Sequence, residues 1–222
     1  MAGGEILYVP SRERTVSTNT WAFLHWLAAV RGVRLADWAA MLDWSAAAPE
    51  AFRAAMADFA RLAANAGAAE IARAALLLLL LDIRPDDRLL AAGAPDLAAD
   101  AARFTTVLAA RGTPETLFEE AADQASSIVL APASDLARAL FRRPAGRHDL
   151  SALREVVALG GPLPANERTR LYTWVKADLM LIGLAGEIAW GDPLAPVLRE
   201  PAARPVPGAL LRRLPSGGRD GG

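Results

Sequence analysis

Residues 149–187 constrain the fold of this chain more than any other stretch, and they read DLSALREVVALGGPLPANERTRLYTWVKADLMLIGLAGE. The short apolar runs at 155–159 and 179–184 predict two buried strands. Between them, a glycine pair predicts a turn and residues 164–175 predict an amphipathic helix. Two strands joined through a helix imply a right-handed crossover in a parallel sheet, and ligands usually bind at the carboxyl ends of such strands.

The segments before this stretch extend the same pattern. Further strands are predicted at 87–91 and 127–130. Residues 96–112 are read as one helix with Phe104 and Leu108 on its inner face. Strands alternating with helices of this length predict an α/β fold, with a mainly parallel sheet flanked by helices.

The first sixty residues carry helical patterns instead. Helices are predicted at 20–31 and 35–44, and a third begins at Pro49. The first of them has Thr18 or Asn19 as its capping residue. We therefore expect a small N-terminal helical segment that packs on the sheet.

Composition excludes several classes of protein. Hydrophobic residues make up 53% of the 222 residues and the net charge is -1, which is typical of a globular chain and argues against disorder and against a nucleic-acid partner. The most apolar run, at 74–81, is too short to span a membrane and predicts a buried helix. The absence of cysteine excludes disulfides and thiolate metal sites, which fits a cytoplasmic protein.

The strand-end loops of residues 149–187 are the best candidate site. Gly160 and Gly161 follow a strand directly, so the backbone there can approach a flat ligand, and Pro162 leads into the next helix. Glu187 would place a carboxylate at the end of the neighbouring strand, where it is the candidate ligand of a metal ion that holds a phosphate. Two ordinary tight turns would give the same pattern, and that alternative stays open.

Other residues of chemical interest favour structural roles. His25 lies one turn after Trp21 on an apolar helix, so packing is favoured over catalysis. His148 stands at the entry to a strand, where a loop hydrogen bond is favoured. The tryptophans of the N-terminal helices are spaced as core residues, and an arginine group at 142, 143 and 147 is read as a solvated loop in preference to an anion site.

Two blocks of the sequence resemble the acetoacetyl-CoA synthetases, a family of adenylate-forming acyl-CoA ligases. Residues 6–62 are similar to the family's N-terminal segment, with a PS-x-ER start, an N-x-x-x-F helix and a W-S turn before P-E-x-F. Residues 69–199 are similar to the later half of its large adenylation domain through LDIRPDDRLL, SSIVLAPASDLARAL, HDLSALREVVALGGPLP and VKADLMLIGLAGEI. The resemblance implies a partial adenylation-domain architecture that would hold AMP or ATP with Mg²⁺.

The sequence departs from the family where phosphates are bound. The family's Thr/Ser/Gly-rich loop, which ends in a lysine, is replaced by AANAGA at residues 63–68. The Gly-Gly-Thr-Asp type of motif is reduced to Ala-Gly-Glu at 185–187, without its threonine. We further expect the strand before Thr113 to be deleted and the C-terminal domain to be missing, since Lys176 matches neither lysine motif of the family.

These departures lead to the functional hypothesis. We expect an N-terminal helical segment at 1–62, a shortened adenylation-like domain at 63–199 and a flexible Pro/Gly/Arg tail at 200–222. Adenylation is catalysed by positive charge and hydrogen-bond donors at the phosphates, so the chain alone is expected to be inactive. It would act as a binding or interaction module through self-association or a protein partner. The alternative is a nucleotide- or CoA-binding subunit of a ligase that another chain completes.

Overall fold

The computed structural model describes residues 16–142, 149–161, 163–174, 180–185, 188–192 and 203–204. The described residues fall into two compact units, a helical unit at 16–84 and a sheet unit at 85–204. The domain division predicted after residue 62 stays a prediction. The compact units themselves divide between Arg84 and Pro85.

The helical unit begins at the predicted cap. The Thr18 hydroxyl accepts a hydrogen bond from the Trp21 amide at 3.2 Å, and Gly32 ends the first helical segment with a φ of 69°. Two segments run on from an α-helix into a wider π-helical turn. The elements are α1 Asn19–Trp26 with the turn Leu27–Arg31, α2 Trp38–Ala47, α3 Pro49–Phe59, and α4 Ala68–Ala75 with the turn Leu76–Leu80.

Aromatic rings fill the core of this unit. Phe23 is fully buried and packs edge-on against Phe52 at 6.1 Å and Phe59 at 5.1 Å between ring centroids. Trp26 lies 5.8 Å from Phe59, and Trp44 lies 5.9 Å from Phe52. These two tryptophans pack against the cluster as predicted, but they are half-buried and lie at its edge rather than in the core.

The buried apolar run is tied to the start of α1 by hydrogen bonds. The Asn19 amide donates to Asp82 Oδ1 at 2.6 Å, and the Asn19 side chain donates to the Ile83 carbonyl at 2.7 Å. Leu77 and Leu81 are completely buried, so the prediction of a buried helix at 74–81 is confirmed. In the described part of the chain, every helix is too short or too polar to cross a membrane.

The sheet unit contains seven strands in the order β2-β1-β3-β4-β5-β6-β7. Its first five strands in this order run parallel, and the last two pair antiparallel. The strands are β1 Arg88–Ala91, β2 Thr106–Ala109, β3 Ile128–Pro132, β4 Glu155–Leu159, β5 Met180–Ala185, β6 Ile188–Asp192 and β7 Ala203–Arg204. The prediction of an α/β fold with a mainly parallel sheet is confirmed.

Helices connect these strands and cover a core centred on Leu90, Val129 and Val156. All three side chains are fully buried. Burial of this kind is expected for parallel strands with helices on their faces. The helices are α5 Pro95–Ala101, α6 Leu117–Asp123 after a short 3₁₀ turn at Pro114–Thr116, α7 Ala133–Phe141 and α8 Ala165–Trp174.

One predicted helix is wrong over its second half. Helix α5 ends at Ala101, and Thr106–Ala109 forms strand β2, paired in register with β1. The run Thr105-Thr106-Val107 is β-branched, which favours a strand, and Thr105 Oγ1 anchors it by donating to the Asp87 carbonyl at 2.6 Å. The strand that was expected to be deleted before Thr113 is therefore present.

The end of the sheet reaches into the predicted tail. Strand β6 pairs antiparallel with β5, and Ala203 and Arg204 pair with Trp190 and Ala189. These two residues are the described part of 200–222, and the rest of the predicted tail lies outside the described residues.

A buried charge cluster joins the amino ends of β1, β3 and β4. Arg154 binds Asp87 through two hydrogen bonds, with Nε 2.9 Å from Oδ1, and reaches Glu155 Oε2 at 3.3 Å. The Asp87 and Glu155 side chains are 6% and 0% exposed. Ser127 Oγ adds a bond to Asp87 Oδ1 at 2.8 Å and accepts one from the Arg88 amide at 3.0 Å. Three segments distant in sequence are thereby fixed to one another.

Candidate ligand-binding site at the carboxyl ends of the strands

The predicted glycine turn follows β4 at the carboxyl edge of the sheet. The pairing of Leu159 with Leu184 brings the ends of β4 and β5 together at this edge. Gly160 has a φ of 83° and Gly161 a φ of 151°, which are conformations that favour glycine. Among the described residues, a methyl group added to either glycine would meet no atom within 4 Å. In this part of the structure, the turn therefore leaves its backbone uncovered.

The other members of the predicted site, Pro162 and Glu187, lie outside the described residues. His148 also lies outside them. Binding by Gly160, Gly161, Pro162 and Glu187 stays a prediction. His25 is exposed and contacts Trp21, with ring centroids 4.6 Å apart, in the helical unit.

The turn after β1 has a similar backbone but a closed environment. Gly93 has a φ of 82°, yet a methyl group there would lie 3.3 Å from the Pro132 ring. The Ala92 amide donates to the Leu130 carbonyl at 2.8 Å and fixes the turn against β3. Among the described residues, the turn after β4 is thus less crowded than the turn after β1.

The loop after β2 is held by an internal carboxylate. Glu120 accepts hydrogen bonds from the amides of Arg111 at 3.0 and 3.1 Å and of Gly112 at 3.2 Å. Gln124 Nε2 donates to the same carboxylate at 3.0 Å. Because Glu120 accepts hydrogen bonds from these amides, it stabilises the folded conformation of the loop.

The packing of this loop leaves no room for a side chain at residue 112. A methyl group on Gly112 would lie 2.3 Å from Thr116 Oγ1, which itself donates to the Thr113 carbonyl at 3.0 Å. We expect Gly112→Ala to lower the free energy of unfolding by about 1–3 kcal/mol, the usual cost of overpacking. Urea denaturation measures this cost. Gly67→Ala is the control, since a methyl group at Gly67 meets no atom within 4 Å; equal losses in both variants would contradict the account.

Beside this loop, Glu115 lies among positive charges. Its own backbone amide and the Thr113 hydroxyl, followed by the charges of Arg138 and Arg142, hold the pKa of Glu115 below its ordinary value. Arg138 also binds Asp135 at 2.5 Å, and that bond raises the pKa of Arg138. These residues link the loop to helix α7 at the surface.

The lowered pKa of Glu115 sets the sign of a pH effect. A carboxyl group with a depressed pKa in the folded state contributes stability at neutral pH and loses it as the pH falls through that pKa. The wild-type protein should therefore be more stable than Glu115→Gln at pH 7, and the difference should disappear in acid, below the ordinary value of 4.5. Unfolding curves of both proteins, measured from about pH 7 to about pH 3, test this. A difference that grows in acid would contradict it.

The segment at residues 63–68, where the resemblance predicts a phosphate loop, lies in the helical unit. Residues 63–67 form a turn closed by a bond from the Ala66 amide to the Ala63 carbonyl at 2.9 Å, and α4 begins after Gly67 without a side-chain cap. Asn65 carries the one polar side chain of the segment. Two to three donors and a positive charge are what a phosphate chain requires, and this segment supplies backbone and one amide.

The described residues supply part of the predicted site. The turn at Gly160 and Gly161 has room for a flat ring, whereas no group of three or more His, Asp or Glu side chains in the described part of the chain is arranged to hold a metal ion. We derive no catalytic step through Mg²⁺ or ATP.

Comparisons with known proteins give partial structural likeness. No protein-family model matches the chain, and no curated protein matches it in sequence. The structure is similar to a nonribosomal peptide synthetase, with 20% identity and a TM-score of 0.49 over 61% of this chain and 17% of that one. It is similar to the acetoacetyl-CoA synthetase of Streptomyces lividans, with 22% identity and a TM-score of 0.48 over 54% of this chain and 21% of that one.

A third similar structure is an anthranilate CoA ligase in complex with anthranoyl-AMP, with 19% identity and a TM-score of 0.40 over 53% of this chain and 27% of that one. The chain thus spans less than a quarter of the length of the first two structures. The acetoacetyl-CoA synthetase among them belongs to the family that the sequence motifs resemble.

Proposed function

We propose that this chain is a catalytically incompetent relative of the acetoacetyl-CoA synthetases that acts as a binding or interaction module. The observation that carries the proposal is the segment at residues 63–68, where the family's hydroxyl-rich, lysine-containing phosphate loop is replaced by AANAGA. Adenylation depends on positioning and charge stabilisation at the phosphates. Without that loop, little of the rate enhancement is available.

An interaction role is supported by the uneven burial of the sheet. Strands β1, β3 and β4 are almost wholly buried, whereas Val107 and Leu108 of β2 are half-exposed. Strands of a parallel sheet are normally covered on both faces, so this end of the sheet suits a protein contact. Self-association or a protein partner would provide the cover.

Light scattering after size exclusion tests the interaction role. The proposal expects the average mass to exceed the monomer mass of 23.5 kDa as the concentration is raised. A chain that remains monomeric at all concentrations would count against self-association. A cytoplasmic location belongs to the same proposal and rests on the cysteine-free composition.

A second candidate is a nucleotide- or acyl-CoA-binding subunit that another chain completes. The open turn at Gly160 and Gly161 favours it, because bare backbone facing free space suits a flat ring such as adenine. Calorimetry with ATP, AMP and CoA tests it, and an absence of heat with all three would exclude it.

Matched glycine variants sharpen that test. Gly160→Ala and Gly93→Ala both place alanine at a positive φ, 83° and 82°, and Gly93→Ala also brings its methyl group to 3.3 Å from the Pro132 ring. Only the first adds a methyl group to the candidate site. The candidate predicts that Gly160→Ala weakens nucleotide binding about tenfold while Gly93→Ala binds as the wild type does; equal behaviour of the two variants would contradict it.

A further inference from the structure

Strand β2 forms one end of the sheet, and among the described residues it pairs with β1 alone. Thr106 and Ala109 are exposed, and Val107 and Leu108 are half-buried. Edge strands in native proteins are usually blunted by charges, proline or a bulge. None of these occurs at 106–109, where the four residues pair with β1 in unbroken register. Within the described residues, the short length of the strand is the one protective feature at this edge.

The hydrogen bonds to β1 show which N–H and C=O groups of β2 face away from the sheet. The Ala110 amide donates to the Ala91 carbonyl at 2.9 Å, so residue 110 faces β1. Backbone groups alternate between the two sides of a strand, so Leu108 also faces β1, whereas the N–H and C=O groups of Val107 and Ala109 face away from it.

The backbone amides on either side of Val107 and Ala109 have other hydrogen-bond partners. Before Val107, the Thr105 amide donates to the Ala101 carbonyl at 3.1 Å. After Ala109, the Arg111 amide donates to the Glu120 carboxylate. The two open residues, Val107 and Ala109, are therefore placed symmetrically about Leu108.

We propose that this edge is a self-association surface whose occupant is the β2 strand of a second copy of the chain. This inference rests on the interaction role proposed above. A two-fold axis at Leu108 sets Val107 of one copy opposite Ala109 of the other, so that four hydrogen bonds join the N–H and C=O groups of these residues in the two strands.

Side chains in this register are compatible with the pairing. Leu108 meets Leu108 of the other copy, and apolar pairs across strands are favourable. The exposed Arg111 lies opposite Thr105, so no two like charges are opposed. With four residues in each strand, the interface is small and the dimer should be weak and reversible.

Sedimentation of the full chain over a wide concentration range tests the proposal. The wild type should shift from monomer towards dimer as its concentration rises to about 1 mM, a range suited to small interfaces. Ala109→Pro removes an amide that faces away from β1, a position where proline is tolerated, and should weaken dimerisation at least tenfold. Ala110→Pro is the control for direction, because it removes the bond to Ala91 and should destabilise the fold itself.

The possible failures are distinguishable. A wild type that stays monomeric throughout overturns both this surface and the proposed self-association. A dimer that survives in folded Ala109→Pro overturns this surface and leaves self-association standing.

Amide hydrogen exchange of the wild type gives a second test if the proline variant does not fold. Protection of the Val107 and Ala109 amides should rise with protein concentration, while the Leu108 amide, which faces β1, stays protected at every concentration. Concentration-independent exchange at Val107 and Ala109 would overturn the proposal.

Discussion

Replacing Arg154 with methionine should lower the free energy of unfolding by about 3–5 kcal/mol, the cost of removing one partner from a buried ion pair. The Arg154 guanidinium binds both Asp87 and Glu155, whose side chains are 6% and 0% exposed. Methionine keeps most of the side-chain volume, so the loss reports the removal of the guanidinium from these two carboxylates. Urea denaturation followed by circular dichroism measures it.

Arg138→Met is the matched control. Arg138 also forms an ion pair, with Asp135, but its side chain is 57% exposed. Exposed pairs of this kind add little to stability because water and salt screen them. The denaturation midpoint of Arg138→Met should stay close to that of the wild type. If Arg154→Met shifted the midpoint no further than Arg138→Met, the charge cluster would not hold the sheet together as described.

Phe23→Ala should cost the helical unit a similar amount, about 3–5 kcal/mol, because it removes a fully buried ring and leaves a cavity. Phe23 lies at the centre of the aromatic cluster, within 6.1 Å of the rings of Trp26, Phe52 and Phe59. Tryptophan fluorescence during urea unfolding measures the loss, since Trp26 belongs to the cluster.

The comparison is with the same substitution at an exposed phenylalanine. Phe141 is 78% exposed, and its ring contacts the Arg170 guanidinium at 5.6 Å. Phe141→Ala should cost about 1 kcal/mol or less, the value of an exposed cation–π contact. A loss at Phe23 as small as the loss at Phe141 would show that the aromatic cluster does not support the helical unit.

Several elements were predictable because their residues favour a single type of secondary structure. Residues 155–159 are a short apolar run bounded by Arg154 and Gly160, and β4 has these bounds. Thr18 precedes an apolar helix and caps it as predicted. The positive φ of Gly160 follows from the need for a sharp turn between a strand and a helix.

Strand β2 was missed for a physical reason. Leu97, Ala101, Phe104 and Leu108 recur at a helical spacing, so periodicity favoured one long helix. The β-branched run at 105–107 carried the opposing preference, and pairing with β1 decided between them. The spacing of apolar residues within a segment does not show whether the segment pairs with a strand elsewhere in the chain.

The contacts between residues that are distant in sequence could not be predicted from the sequence either. Asp87 and Arg154 are joined only because β1, β3 and β4 stand side by side, and a single sequence does not reveal their register. The role of Glu120 depends in the same way on the loop after β2 folding back to it. For the candidate site, the sequence predicted the glycine turn, whereas the distance of other described atoms from it depends on the packed structure.

ATP–pyrophosphate exchange with acetoacetate and Mg²⁺ measures whether the chain catalyses adenylation. We expect exchange equal to that of a sample without protein, because residues 63–68 lack the groups that grip phosphates. Exchange that requires both the protein and acetoacetate, and that falls in Gly160→Ala but not in Gly93→Ala, would show instead that the chain is an active ligase.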